Sequence, residues 1–466
     1  MRIRLNSLPA LNKNFVRNLT SQILGGVQND LWSRINPAEG YSQSKRDQND
    51  YRAGDVEIEH VTIISGDGKR VWPITDQVKE IHIFESIIYP TMFCEMTIAD
   101  SARLYENYTM TTNEFITFTI KTKGREKAVD YRFAVNSIGN KVVAQNNKMV
   151  TYTLQLVSPE LKVSAANFIA SKQFKGTITE LIESILKEDL ATRKRIIVEP
   201  STGIIDKTIG PRYPFAIIHE HYLDADNRRD NNGVYVFFEN QRGYNLVTYE
   251  KLLKDGRKTL DRGDSDRRFV FTPLSNADAG EVNFRNIMAY NQSQFNDAIK
   301  LLVSGGQHST AMPYDFTTGE GQQARYQETK DGASLPTSDT GGTALMGTDF
   351  INQHSRNSVV NKLIAVNYEV RPNSNVAEVI VKRNAFLQKL QQIEAQILIY
   401  GDTDLAVGDV IECSFPTSSD SQEDPGKTRL DSGYYLITHL RHMILNSDRP
   451  QHAISCNIMK SGMKGN

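Results

Sequence analysis

The stretch GDTDLAVGDVIECSFP, residues 401–416, holds three aspartates, two Gly-Asp steps and a closing proline. Aspartates at that density suggest a metal loop. Calcium, however, needs oxygen ligands closing around one loop, a glycine at its sharp turn and a bidentate acid at its end. The spacing fits no such loop. Gly401-Asp402 and Gly408-Asp409 read instead as two tight turns flanking a short apolar segment, Leu405 to Val407, and Pro416 stops the strand that follows. The stretch reads as part of a β wall.

The chain on either side extends that reading. GYYLITHLRHMIL (433–445) and AISCNIMK (453–460) are strands, and NVAEVIVKRNAFLQKLQQ (375–392) is a helix with Asn375 and Glu378 at capping-box spacing. Together they define a β-barrel domain over 359–466, with its helix at 376–392. A similar texture fills 51–159. VEIEHVTIISGDGKRVWPI (56–74) is a hairpin turning at Asp67-Gly68. Met92, Cys94, Met96 and Ile98 alternate with polar residues, as do Ile116, Phe118 and Ile120; Tyr131, Phe133 and Val135; and Val150, Tyr152, Leu154 and Leu156. Many alternating strands with little helix between them indicate an antiparallel barrel or sandwich.

Between these lies a different pattern. TITELIESILKEDL (177–190) has a capping box, Thr177 with Glu180, and one apolar face of Ile178, Leu181, Ile182, Ile185 and Leu186. GVYVFFENQRGYNLVTYEKLL (233–253) is a strand pair turning at a glycine and running into a helix. Residues 160–303 therefore read as an inserted α+β domain. Residues 304–358, rich in Gly, Ser and Thr, read as an extended loop. Residues 1–50 read as an arm and linker, with Leu11, Phe15, Leu19 and Ile23 on a short amphipathic helix suited to docking. The fold class is mainly β with an α+β insertion: two similar antiparallel β-barrels plus a mixed α/β domain. No clean sequence repeat relates the two barrels.

With 54 basic and 55 acidic residues among 466, the chain has a net charge of −1 and no global basic field for nucleic acid. No apolar run approaches the roughly 18 residues of a membrane span. The N-terminus, broken by polar residues, is no secretory signal. Cys94, Cys413 and Cys456 lie in alternating segments and read as buried free thiols.

The catalytic inventory is thin. HEHYLDAD (219–226) places His219, His221, Asp224 and Asp226 together, donor types used by zinc and iron. On one strand face the two histidines would converge, giving a metal-dependent hydrolase as the alternative function; a helix end is an equal reading of the same residues. Phosphate-cradling, dinucleotide and nucleophile-elbow motifs are absent. The expectation is a protein that is not an enzyme, with no metal or cofactor.

Three stretches then fall in order. In VKEIHIFESIIYPTMFCEMTIADS (78–101), Glu85, Ser86, Ile87, Pro90 and Asp100 form a strand, an E-S-I turn, a proline and a strand ending in Asp. GVYVFFENQRGYNLVTYEKLL follows. GDTDLAVGDVIECSFP with SGYYLITHLRHMI then supplies Gly401, Asp402, Gly408, Asp409, Pro416, Gly433, Tyr434 and His442. This series, spanning roughly residues 55 to 460, resembles the central baseplate hub proteins of contractile-tailed phages, related to type VI secretion spike hubs. The resemblance implies a homotrimer whose two barrels per chain make a pseudo-sixfold ring joining the tail tube to a central spike. It further implies baseplate wedge and tape-measure proteins as contacts, DNA only in transit through the lumen, no membrane insertion, and residence in the virion tail after assembly in the host cytoplasm. A near-neutral chain suits a lumen that lets DNA slide without holding it.

Overall fold

A computed structural model describes residues 53–107, 110–124, 127–143, 149–227, 234–271, 285–295, 299, 308–315, 324–327, 360–366, 376–415 and 431–461. The expected arm at 1–50, the cap at Asn375 and the strand stop at Pro416 lie outside these residues. All that follows belongs to the unit Arg52–Asn466.

The first seven strands are β1 (Val56–Ile64), β2 (Val71–Pro73), β3 (Val78–Ser86), β4 (Phe93–Asp100), β5 (Phe115–Thr122), β6 (Val129–Val143) and β7 (Val150–Val157). They pair in the order β3-β4-β7-β6-β5-β1-β2, each pair antiparallel. Strict alternation sends Met96, Ile98, Ile116, Phe118, Phe133, Tyr152 and Leu154 into one core. Val61 and Ile63 of β1 reach that core, as do Ile81 and Ile83 of β3, so the sheet curls around it. The hairpin turns where expected, with Gly68 at φ +70°.

The insert begins with α1 (Pro159–Ala166). It continues through β8 (Lys172–Gly176), α2 (Ile178–Ser184), β9 (Ile196–Val198), β10 (Ile205–Ile209), α3 (Pro214–Tyr222), β11 (Tyr235–Asn240), β12 (Gly243–Thr248) and α4 (Tyr249–Asp261). The capping box forms at α2: Thr177 Oγ1 accepts from the Glu180 amide, and Glu180 Oε2 accepts from the Thr177 amide. The β11–β12 hairpin is buried on both faces. Tyr235 and Phe237 enter the insert core, while Val236 and Phe238 enter the core of the C-terminal barrel. This explains its continuous apolar run.

The remaining elements are β13 (Arg268–Phe271), β14 (Asn286–Phe295), β15 (His308–Asp315), β16 (Ala324–Gln327), β17 (Val360–Val366), α5 (Val376–Leu390), β18 (Ile393–Tyr400), β19 (Val410–Ser414), β20 (Gly433–Leu445) and β21 (Gln451–Lys460). Among the described residues, β13, β14, β18, β21, β20 and β19 pair in a closed circuit, a six-stranded barrel. Phe386 and Leu390 of α5 lie in its core. Two sequence-based assignments change here. First, β13 and β14, expected within the insert, are barrel strands: β13 pairs in parallel with both β14 and β19, a long-range pairing that leaves no local turn signal. Second, β15 and β16 fall inside the expected loop at 304–358. Backbone pairing with β17 gives HSTAMPYD an extended form that its polar composition hides.

The two strand sets are not separate. The C-terminal half of β20 pairs antiparallel with β3, from His439–Ser86 to Leu445–Glu80, making one sheet of thirteen strands among the described residues. No helix among them is long and apolar enough to cross a membrane. Cys94, Cys413 and Cys456 are free and buried, and burial pushes each thiol well up. All three should resist DTNB at pH 8 in the native protein and react together in denaturant. A thiol that titrates under native conditions would contradict this packing.

Candidate functional site

The β11–β12 turn, Asn240 to Gly243, projects from the insert into a cradle made by β3 and the loop 401–409. Gly243 sits at φ +123°, and a Cβ there would lie 2.1 Å from the Arg195 carbonyl oxygen, so only glycine fits. Arg242 reaches the loop as a fork: Nη1 and Nη2 each stand 2.7 Å from one oxygen of Asp409, and Nη2 also donates to the Asp404 carbonyl at 2.6 Å. Arg267 stands 3.0 Å from Asp409 Oδ1, and the Ala406 amide donates to Oδ2 at 3.0 Å. Burial alone would raise the Asp409 carboxyl, but the two guanidinium groups hold it below the usual carboxylate range.

Glu85, at the end of β3, closes the other side. Its Oε1 accepts from the Gln241 amide at 2.8 Å and its Oε2 from the Val407 amide at 3.0 Å. Burial pushes this carboxyl up to about 7 against those two bonds and Arg242. Gln241 Nε2 donates to the carbonyls of Thr403 and Leu405, and Asn240 Nδ2 donates to that of Val407. The Thr403 amide donates to Thr122 Oγ1 of β5. A second cluster lies nearby: the buried Glu239 receives Lys194 Nζ, Ser158 Oγ and the Met92 amide, while Lys194 also pairs with Glu160 at 2.7 Å.

The motif positions take distinct places. Ser86 Oγ accepts from the Ile88 amide, Pro90 lies in the bend after β3, and Asp100 holds the amides of Leu104 and Tyr105. Gly401 is pressed against His452, where a Cβ would meet the imidazole at 2.1 Å. Asp402 Oδ1 accepts from the Asp404 amide. Gly408 is at φ +92° beside the Phe238 ring. Gly433 opens β20 at φ +140°, Tyr434 donates to Asp261, and His442 meets His452. Glu85, Gly408 and Asp409 therefore converge on one joint; Asp100 and Tyr434 serve elsewhere. Gln241, Arg242, Arg267, Glu239 and Lys194 escaped the sequence reading. The available signal was ENQRG, a charged turn capping two apolar strands.

The hydrolase alternative does not assemble. His219 and His221 are on α3, where two residues are separated by about 200° around the axis. His221 bonds its own Ile217 carbonyl through Nδ1, and His219 packs edge-on to Tyr222. Asp226 is engaged with Thr202 through its backbone. Among the described residues, no group of three or more His, Cys, Asp or Glu is arranged to hold a metal. At the joint itself, every carboxylate oxygen of Glu85 and Asp409 already accepts a hydrogen bond, so the arrangement acts as a fastening.

Removing the charge in Asp409→Asn leaves two arginines facing a lost partner and should cost about 3 kcal/mol in urea denaturation; an unchanged midpoint would contradict the joint. Glu85→Gln turns an amide nitrogen toward a backbone N–H and should cost about 1–3 kcal/mol. The pH dependence follows from linkage. Between pH 4.5 and about 7 the unfolded chain releases the Glu85 proton while the folded chain keeps it, so its contribution to stability falls as pH rises. The gap between wild type and variant should therefore narrow across that window and level off above it. A gap widening with pH would show the reverse sign.

No protein-family model matches the chain, and no curated protein matches its sequence. In fold it is similar to the tail protein from Neisseria meningitidis MC58, with 8% identity and TM-score 0.48, covering 88% of this chain and 98% of that one. It is likewise similar to the 43 kDa tail protein of prophage MuSo2 from Shewanella oneidensis, with 9% identity and TM-score 0.49 over 87% and 99%. A third similarity is to a chain of the lidded Francisella PdpA-VgrG complex, with 11% identity and TM-score 0.46 over 98% and 57%.

Proposed function

We propose that the chain is a structural baseplate hub of a contractile tail or phage-like injection particle. It assembles as a homotrimer whose strand units line a ring between the tail tube and a central spike. Wedge and tape-measure proteins are further contacts, and DNA passes only in transit.

The observation that carries this reading is the seam. A barrel and a curled sheet share β20–β3 pairing, and the insert turn bolts the two together through Glu85 and Asp409. A wall that must transmit force needs its modules joined by directional backbone bonds and saturated polar contacts, because apolar burial alone allows sliding. The positions carrying the sequence resemblance, Glu85, Gly408 and Asp409, are also the ones at this joint.

Light scattering with negative-stain micrographs of one purified fraction tests the proposal. Threefold rings of about three times the 52.5 kDa chain mass are expected. A monodisperse monomer at every concentration up to about 100 μM, with no rings on the grid, would overturn it.

A further inference from the structure

The seam contains one polar contact that the joint does not use. His442 of β20 and His452 of β21 lie on the core side of the sheet, 1% and 2% exposed, with His442 Nδ1 2.9 Å from His452 Nε2. The outer nitrogens, His442 Nε2 and His452 Nδ1, have no hydrogen-bond partner. Across the strands, His442 stands opposite Ile454 on one side and Ile83 on the other, and His452 stands opposite Ile444. Leu440 and Ile454 belong to the barrel core, Ile83 and Ile444 to the core of the curled sheet. The pair therefore joins β20 to β21 where the two cores meet, on the strand whose other edge pairs with β3.

Two neutral imidazoles share one proton in the bond between them, which leaves one outer N–H and one outer lone pair in the apolar surroundings without any charge. A further proton places a cation and a new N–H donor against aliphatic side chains. The surrounding charges do not compensate. Asp55 is held by Arg449, Glu85 by two amides, and Asp402 accepts from the Asp404 amide. Tyr400, Cys94 and Tyr131 are the remaining titratable groups on adjoining elements, and none is anionic in mild acid. Arg441, His439, His82, Glu80 and Glu95 project from the opposite face of the same strands.

We propose that His442 and His452 form a proton-sensitive latch between β20 and β21, closed when both rings are neutral and loosening β20, and with it the β20–β3 pairing, on acidification. The inference rests on the seam geometry and stands independently of the hub reading. Burial lowers His442 to about 3 and His452 well below its ordinary value. The sign follows: the opened state binds protons first, so closure is fully favoured above about pH 6.5 and weakens as pH falls below it.

Hydrogen exchange of the full chain between pH 6.0 and 4.5, corrected for intrinsic rates, reads the latch directly. Amides of the β20–β3 pairing should accelerate relative to those of β5–β6 by up to about 100-fold per pH unit, since each histidine supplies up to tenfold. In the His442→Leu/His452→Leu double variant that excess should vanish. Seam and β5–β6 amides changing in parallel in the wild type would overturn the proposal whether or not the variant folds.

Discussion

Two carboxylates, Glu85 and Asp409, are withdrawn from water at the meeting point of three chain segments distant in sequence. Desolvating a carboxylate costs several kcal/mol unless donors replace its hydration. Here those donors are supplied only when β3, the Asn240–Gly243 turn and the 401–409 loop are all in place. Apolar burial has no such directionality. The β11–β12 hairpin is buried on both faces and would tolerate sliding between its two cores. The polar joint fixes its depth and rotation.

The same economy of position appears in β20. Its first residues pair with β19 and close the barrel, from Cys413–Gly433 to Val410–Leu436. Its last residues leave β19 behind and pair with β3. The change falls at the register shift between Ile437 and His439. A bulge increases local twist and bends a strand, which lets one strand serve two curved surfaces. The Thr438 carbonyl accepts from the Ile87 amide there, so the bulge is tied to the E-S-I turn.

Much of this was legible from local signals. Alternation in β4, β5, β6 and β7 predicted their buried residues, and Thr177 with Glu180 predicted the start of α2, because each signal acts within a few residues. What stayed hidden depends on partners far along the chain. Parallel pairing of β13 with β19 joins residues near 270 to residues near 412, and no turn chemistry announces it. HSTAMPYD resembles a loop in composition because its neighbours supply its extended form. His219 and His221 looked convergent only on a strand, and the run PFAIIHEHY, with proline at its first helical position, became α3 instead. At the joint, Glu85 and Asp409 stood out by motif. Arg242 did not, since nothing in ENQRG says which carboxylate its fork will meet.

The Gly-Asp stretch illustrates how such a loop is constrained at both ends. Gly401 follows β18 against the His452 ring, where any side chain would collide with the imidazole. Gly408 turns at φ +92° against Phe238 of the insert hairpin. Between them the chain must circle the Asn240–Gly243 turn closely enough for the carbonyls of Thr403, Leu405 and Val407 to accept from it. Two turns, closed by Leu405 N–H to the Asp402 carbonyl and Asp409 N–H to the Ala406 carbonyl, bring these three carbonyls to the hairpin turn, while Leu405 and Val407 still reach the barrel core. A shorter span between the glycines would leave the hairpin turn unenclosed, and a longer one would leave loop amides without acceptors. The run of aspartates that first suggested a metal site belongs to a loop wrapped around a protein turn, with the Arg242 guanidinium against Asp409.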